Sequence, residues 1–177
     1  PPAELLAGTQ DCFKLTPKQA GHDKAVLEDI YPTFGAYLRG GFISHLEGKL
    51  VARCGIPGLR FGLHALLHNG RPASNRVDLP GLYLGHAHAP DWESFCAHLD
   101  FRLREGSYRK TDESALNLHD IFALLQSEEG EDGLHGFFAE VCEGSETLTA
   151  ALEARGMLLR ALLDLDAKVQ RIFGSIP

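Results

Sequence analysis

The 177-residue chain has no apolar run near the roughly 20 residues that a helix needs to cross a bilayer. Its first residues, PPAELLAGTQDCF, lack the basic stretch and apolar core of a secretion signal. The expectation is a cytoplasmic chain without a membrane partner, unless a presequence was trimmed before Pro1. Cysteine is sparse. Cys12, Cys54, Cys96 and Cys142 stand far apart with no CxxC, which excludes a small disulfide scaffold and fits reduced thiols. Basic residues are outnumbered, 17 Lys and Arg against 24 Asp and Glu, for a net charge of −7, so a broad phosphate-binding surface for nucleic acid is not expected. The usual nucleotide cradles and the nucleophile elbow are missing too: no Gly-x-Gly-x-x-Gly follows a strand pattern, and there is neither a P-loop nor a Gly-x-Ser-x-Gly.

What is present is the make-up of an ordinary folded domain, 44% hydrophobic and 23% charged, and its length suits one domain over residues 1–177. Thr16-Pro17-Lys18-Gln19 reads as a capping box opening a helix toward Tyr31, and Phe34, Leu38, Phe42 and Leu46 resume helical spacing after Pro32. Trp92, Phe95, Cys96, Leu99 and Leu103 form a clean helical stripe behind Asp91 and Glu93. Further helices are expected over 113–127, 133–142 and, as the longest amphipathic signal, 147–173. The acidic run 128–132 reads as a solvated loop. Strand signals are thin, limited to 50–53 and 77–84. The pattern therefore predicts a mainly α fold, a bundle of five to seven helices with a Gly/Pro-rich, partly extended insert over 58–90 that holds a short hairpin at most.

That insert carries the most distinctive residues. His64 and His68 form HALLH, which on a helix would stack two imidazoles about 6 Å apart, close enough to share an ion. Asn69-Gly70 directly after is also the strongest hairpin dipeptide, and on a strand the same histidines would lie roughly 13 Å apart, too far to chelate. Ala65 stands where a metalloprotease HExxH would need its glutamate. His86 and His88 form HAH, and in an extended chain alternate side chains point the same way.

Gly81-x4-His86-x-His88-x4-Glu93 resembles the first metal motif of cupins over some thirteen residues, with no second motif following. Residues 115–121, with His119 and Asp120 adjacent, resemble the His-Asp core of HD-domain phosphohydrolases over seven residues. That resemblance implies a metal that activates water. Neither covers enough of the chain to name a family.

Together these residues predict a metal-binding helical protein, possibly a zinc- or iron-dependent hydrolase or oxygenase acting on a small-molecule substrate. His64, His68, His86, His88 and His119 are the candidate ligands, with Glu93 or Asp120 as base or ligand orienter. The alternative is a non-catalytic module that binds a protein or ligand. A third reading, a helical haem or bilin pocket, draws on His22, His45, His98 and His135. A homo-oligomer is compatible with all three, and an exposed stripe on the last helix would favour a partner.

Overall fold

Two short strands, rather than a helical stripe, open the chain. The computed structural model describes residues 1–46, 49–62, 65–74, 77, 79, 81–105 and 116–174. Pro2–Leu5 forms β1 and Cys12–Lys14 forms β2, paired antiparallel with Glu4 opposite Lys14. Successive side chains of a strand point to opposite faces. Ala3 and Phe13 therefore turn to one side, where Leu15, Leu5, Leu159 and Ala161 join them, while Cys12 enters the main core on the other.

Three further strands form a separate antiparallel sheet: β3 (Leu59–Phe61), β4 (Leu66–His68) and β5 (Arg71–Pro72). Asn69 (φ 51°) and Gly70 (φ 78°) make the two-residue turn, with both central residues left-handed as such turns require. The first sheet is completed by β6 (Leu84–His86), parallel to β1, and β7 (Leu158–Arg160), antiparallel to β2. Its order is β6-β1-β2-β7.

Among the described residues six α-helices accompany the sheets: α1 (Val26–Ile30), α2 (Trp92–Glu105), α3 (Leu118–Glu128), α4 (Gly130–Val141), α5 (Glu146–Glu153) and α6 (Leu165–Phe173). Their starts are chemically marked. Asp91 Oδ1 accepts from Ser94 N, Asn117 and Asp120 form a capping box, and Ser145 accepts from Leu148 N. The core between α2, α3 and α4 is aromatic. Phe122 meets Phe137 edge-on at 4.7 Å, and Phe95 lies within 6.1 Å of Phe122, Phe137 and Phe138.

The fold is thus a mixed α/β one, and the expectation of a mainly α bundle is corrected. Two features account for it. The expected helix over 147–173 is broken at Gly156, whose φ of 63° ends α5, and Leu158–Arg160 pairs with β2 instead. Pairing with a central strand overrides the helical propensity of a leucine run. The expected helix toward Tyr31 shrinks to one 3-10 turn (Pro17–Ala20) and the five residues of α1. Its Thr16–Gln19 capping box is nevertheless present, with Gln19 Oε1 accepting from Thr16 N at 2.7 Å. The acidic run is the junction of α3 and α4 rather than a loop, and 50–53 forms no strand. No helix among the described residues is long and apolar enough to cross a membrane.

Candidate functional site

A buried ion pair underlies the most polar region of the molecule. The β1–β2 register sets Glu4 against Lys14, and both are about as inaccessible as any apolar side chain, at 2% and 1% exposure. Lys14 Nζ lies 2.9 Å from Glu4 Oε1 and donates to Gly41 O and Val141 O, each at 2.9 Å, which uses all three ammonium protons. Glu4 Oε1 also accepts from Ile43 N at 3.2 Å, and Oε2 from Ser44 N at 2.8 Å. Burial would raise the Glu4 pKa, but Lys14 and Ser44 outweigh it and hold the carboxyl below its usual range. Lys14 is likewise held protonated against burial by Glu4.

The carboxylate therefore anchors the loop that leads away from Arg39. That loop turns at Gly40 (φ 68°) and Gly41 (φ 79°), and Arg39 bridges to Phe42 across the turn. A Cβ on Gly41 would stand 3.2 Å from Leu27 Cδ2, so left-handed geometry and close packing both select glycine there. Past the turn, Phe42, Ser44 and His45 face Arg39, Arg102 and Leu118 across a cavity of about 230 Å³.

His45 is the histidine in the lining of this cavity, His88 touches the lining residue Arg102, and His45 acts electrostatically on His86. His86 ends β6 opposite Glu4 in the parallel register, and its Nε2 is shielded from solvent with no hydrogen-bond partner. Burial pushes its pKa down, and Lys49 and His45 add to the effect against Glu4. His88 lies beyond the strand end. Arg102 Nη2 donates to His88 Nδ1 at 3.2 Å, and because a guanidinium has only donors, this nitrogen must hold the lone pair and Nε2 the proton. His98 Nδ1 donates to the His88 carbonyl at 2.7 Å, and the two rings stack 5.2 Å apart. Burial, with Arg102 second, drives the His88 pKa down to about 4, so this imidazole is neutral at pH 7.

The residues singled out in the sequence do not form one cluster. His64 lies outside the described residues. His68 ends β4 in the other sheet, exposed, so Leu66–His68 follows the hairpin alternative rather than a helix. Glu93 is exposed in the first turn of α2. Asp120 closes the capping box of α3, its Oδ2 accepting from Asn117 N at 3.2 Å. His119 beside it has a shielded Nδ1 without a partner. His22 bonds to Arg155 O at 2.8 Å and His135 stacks on Trp92 at 3.6 Å. Among the described residues no three His, Cys, Asp or Glu side chains converge as a metal ion requires.

His45 entered only the haem or bilin reading, and Glu4, Lys14, Arg39 and Arg102 were not anticipated. Two of them carried a signal: a lone charge inside each of the apolar segments AELLA and CFKL, at positions where alternation turns it inward. Comparison of the chain with family models and curated proteins, and of its fold with solved structures, finds no match.

Proposed function

We propose that this chain binds a small anionic ligand, through a phosphoryl or carboxylate group, in the cavity between Arg39, His45 and Arg102. The observation that carries the reading is the local sign of charge. In a chain of net charge −7, Arg39, His45 and Arg102 line the cavity and Lys49 acts on His86 beside it. The carboxylate that influences these histidines, Glu4, is neutralised by Lys14 and two backbone amides. A planar guanidinium suits carboxylate and phosphate oxygens, and the recess brings two of them, Arg39 and Arg102, to one place. Phe42, Ile43 and Leu118 supply apolar surface for the body of such a ligand. His88, kept neutral, orients Arg102 without adding a charge of its own.

The test is amide chemical-shift mapping with inorganic phosphate, pyrophosphate and citrate as probes. Saturable shifts at Ser44, His45 and Arg102, weakened tenfold to a hundredfold by Arg102→Ala, are expected; that range matches about 1.5–3 kcal/mol for a hydrogen bond to a charged group. Shifts that never saturate, or that survive Arg39→Ala/Arg102→Ala, would sink the reading.

A zinc or iron centre keeps support from one observation, the partnerless Nε2 of His86. Against it, the lone pair of His88 Nδ1 is engaged by Arg102. One metal ion per chain, lost in His86→Ala, would favour this second reading over the first.

A further inference from the structure

The last helix presents an apolar face that the described residues leave largely open to solvent. Val169, Ile172 and Phe173 follow at helical spacing on α6, yet Ile172 and Phe173 are 65% and 75% exposed, and Leu162 just before the helix is 75% exposed. Lys168 and Arg171 border that face. A strongly amphipathic helix that leaves Ile172 and Phe173 open to solvent marks an interaction surface.

Elsewhere on the molecule lies a groove of opposite character. Between α2 and α4, with Gln126 of α3 at its side, an open recess of about 400 Å³ has Cys96, Leu99, Leu103 and Leu134 as its floor and the exposed Asp100 and Glu131 at its rim. On the α3–α4 side its surroundings are acidic. From residue 118 to residue 153 the chain carries nine Asp and Glu and no Lys or Arg. Asp100 does pair with Arg104 at 2.9 Å, but both side chains are 69% exposed, and such a surface pair is readily exchanged.

We infer that α6 of one copy docks in the α2–α4 groove of a second copy, and that two such contacts, related by a two-fold axis, close a dimer. Apolar residues three and four apart entering a groove between helices is a common mode of helix recognition. Here Ile172 and Phe173 fill the floor while Lys168 and Arg171 meet the acidic rim. A nine-residue helix alone is a small contact. Reciprocal exchange doubles it and leaves no open end for further growth. This dimer is independent of the anion cavity, since no residue is shared between the two linings.

Sedimentation equilibrium of the whole chain, over a range of concentrations and at low and high salt, tests the inference. The expected result is a monomer–dimer equilibrium weakened by salt, at least tenfold weaker in Glu131→Lys and abolished in Ile172→Asp/Phe173→Asp. Because Ile172 and Phe173 are largely exposed, that double variant should keep the circular dichroism and melting profile of the parent. Combining Asp100→Lys/Glu131→Lys with Lys168→Glu/Arg171→Glu should restore association. A monomer at every concentration overturns the inference and gives the face to another occupant, such as a different protein. Dimers indifferent to the α6 variants overturn it as well, and failure of the charge exchange to restore association removes the groove from it.

Discussion

Replacing Lys14 by methionine keeps the length of the side chain and removes its charge, and the structure sets what that costs. Glu4 would remain ionised and buried without its partner, and Gly41 O and Val141 O would each lose a donor. Breaking a buried pair from one side costs about 3–5 kcal/mol, a large part of the roughly 5–15 kcal/mol that holds a domain folded. Urea unfolding followed by circular dichroism should show that loss as a lower midpoint. Glu4→Leu/Lys14→Met removes both charges and should recover part of it, so the double variant is more stable than the sum of the two single changes predicts. The pH profile follows from the same pair. The Glu4 pKa is depressed in the folded state, so its contribution is present above the ordinary carboxylate pKa and lost as pH falls through the folded value. The raised Lys14 pKa works in the opposite sense, its contribution being full below the ordinary lysine value and lost in strong alkali. A Lys14→Met cost under about 1 kcal/mol, or strict additivity with Glu4→Leu, would refute the reasoning.

His88 should stay neutral until near pH 4, as read from its imidazole carbon shifts, and Arg102→Ala should move that titration upward. Because the folded state resists protonation at His88, stability should decline as pH falls from the ordinary histidine value toward 4; a rise over that interval would contradict the assignment. Asn117→Ala removes the acceptor for His119 N and Asp120 N and should cost about 1 kcal/mol in urea unfolding. Gly35→Ala places a Cβ inside contact distance of the Leu27 backbone and should lower the melting temperature, whereas Gly136→Ala, with open space around it, should not.

The sequence disclosed the elements whose pattern is long. The stripe from Trp92 to Leu103 lies in α2, and that from Leu134 to Val141 in α4. Strands of three or four residues escaped notice, because β2 and β7 are too short to show a period and gain their structure from partners distant in the chain. Gly156 was the legible warning that the last helix would break. At the candidate site the reading reached His86 and His88 but missed Arg39 and Arg102, since guanidinium groups from a turn and a helix converge only through tertiary packing. The HALLH string showed the reverse difficulty: it allows two periods, and at Leu66–His68 the strand that leads into the Asn-Gly turn is the one adopted.

The sheet order has a consequence for how the chain reaches its folded state. β1 and β2 are made first, yet their outer neighbours are β6 and β7, the latter some 145 residues downstream of β2. During synthesis the opening hairpin therefore waits with both edges unpaired and with Lys14 still lacking Val141 O, 127 residues ahead. Contacts of such long range slow folding and leave strand edges open to wrong partners in the interval. A ribosome stalled before residue 158 would hold a nascent chain with the β2 edge still open, and helper proteins that cover exposed strand edges should recognise it there.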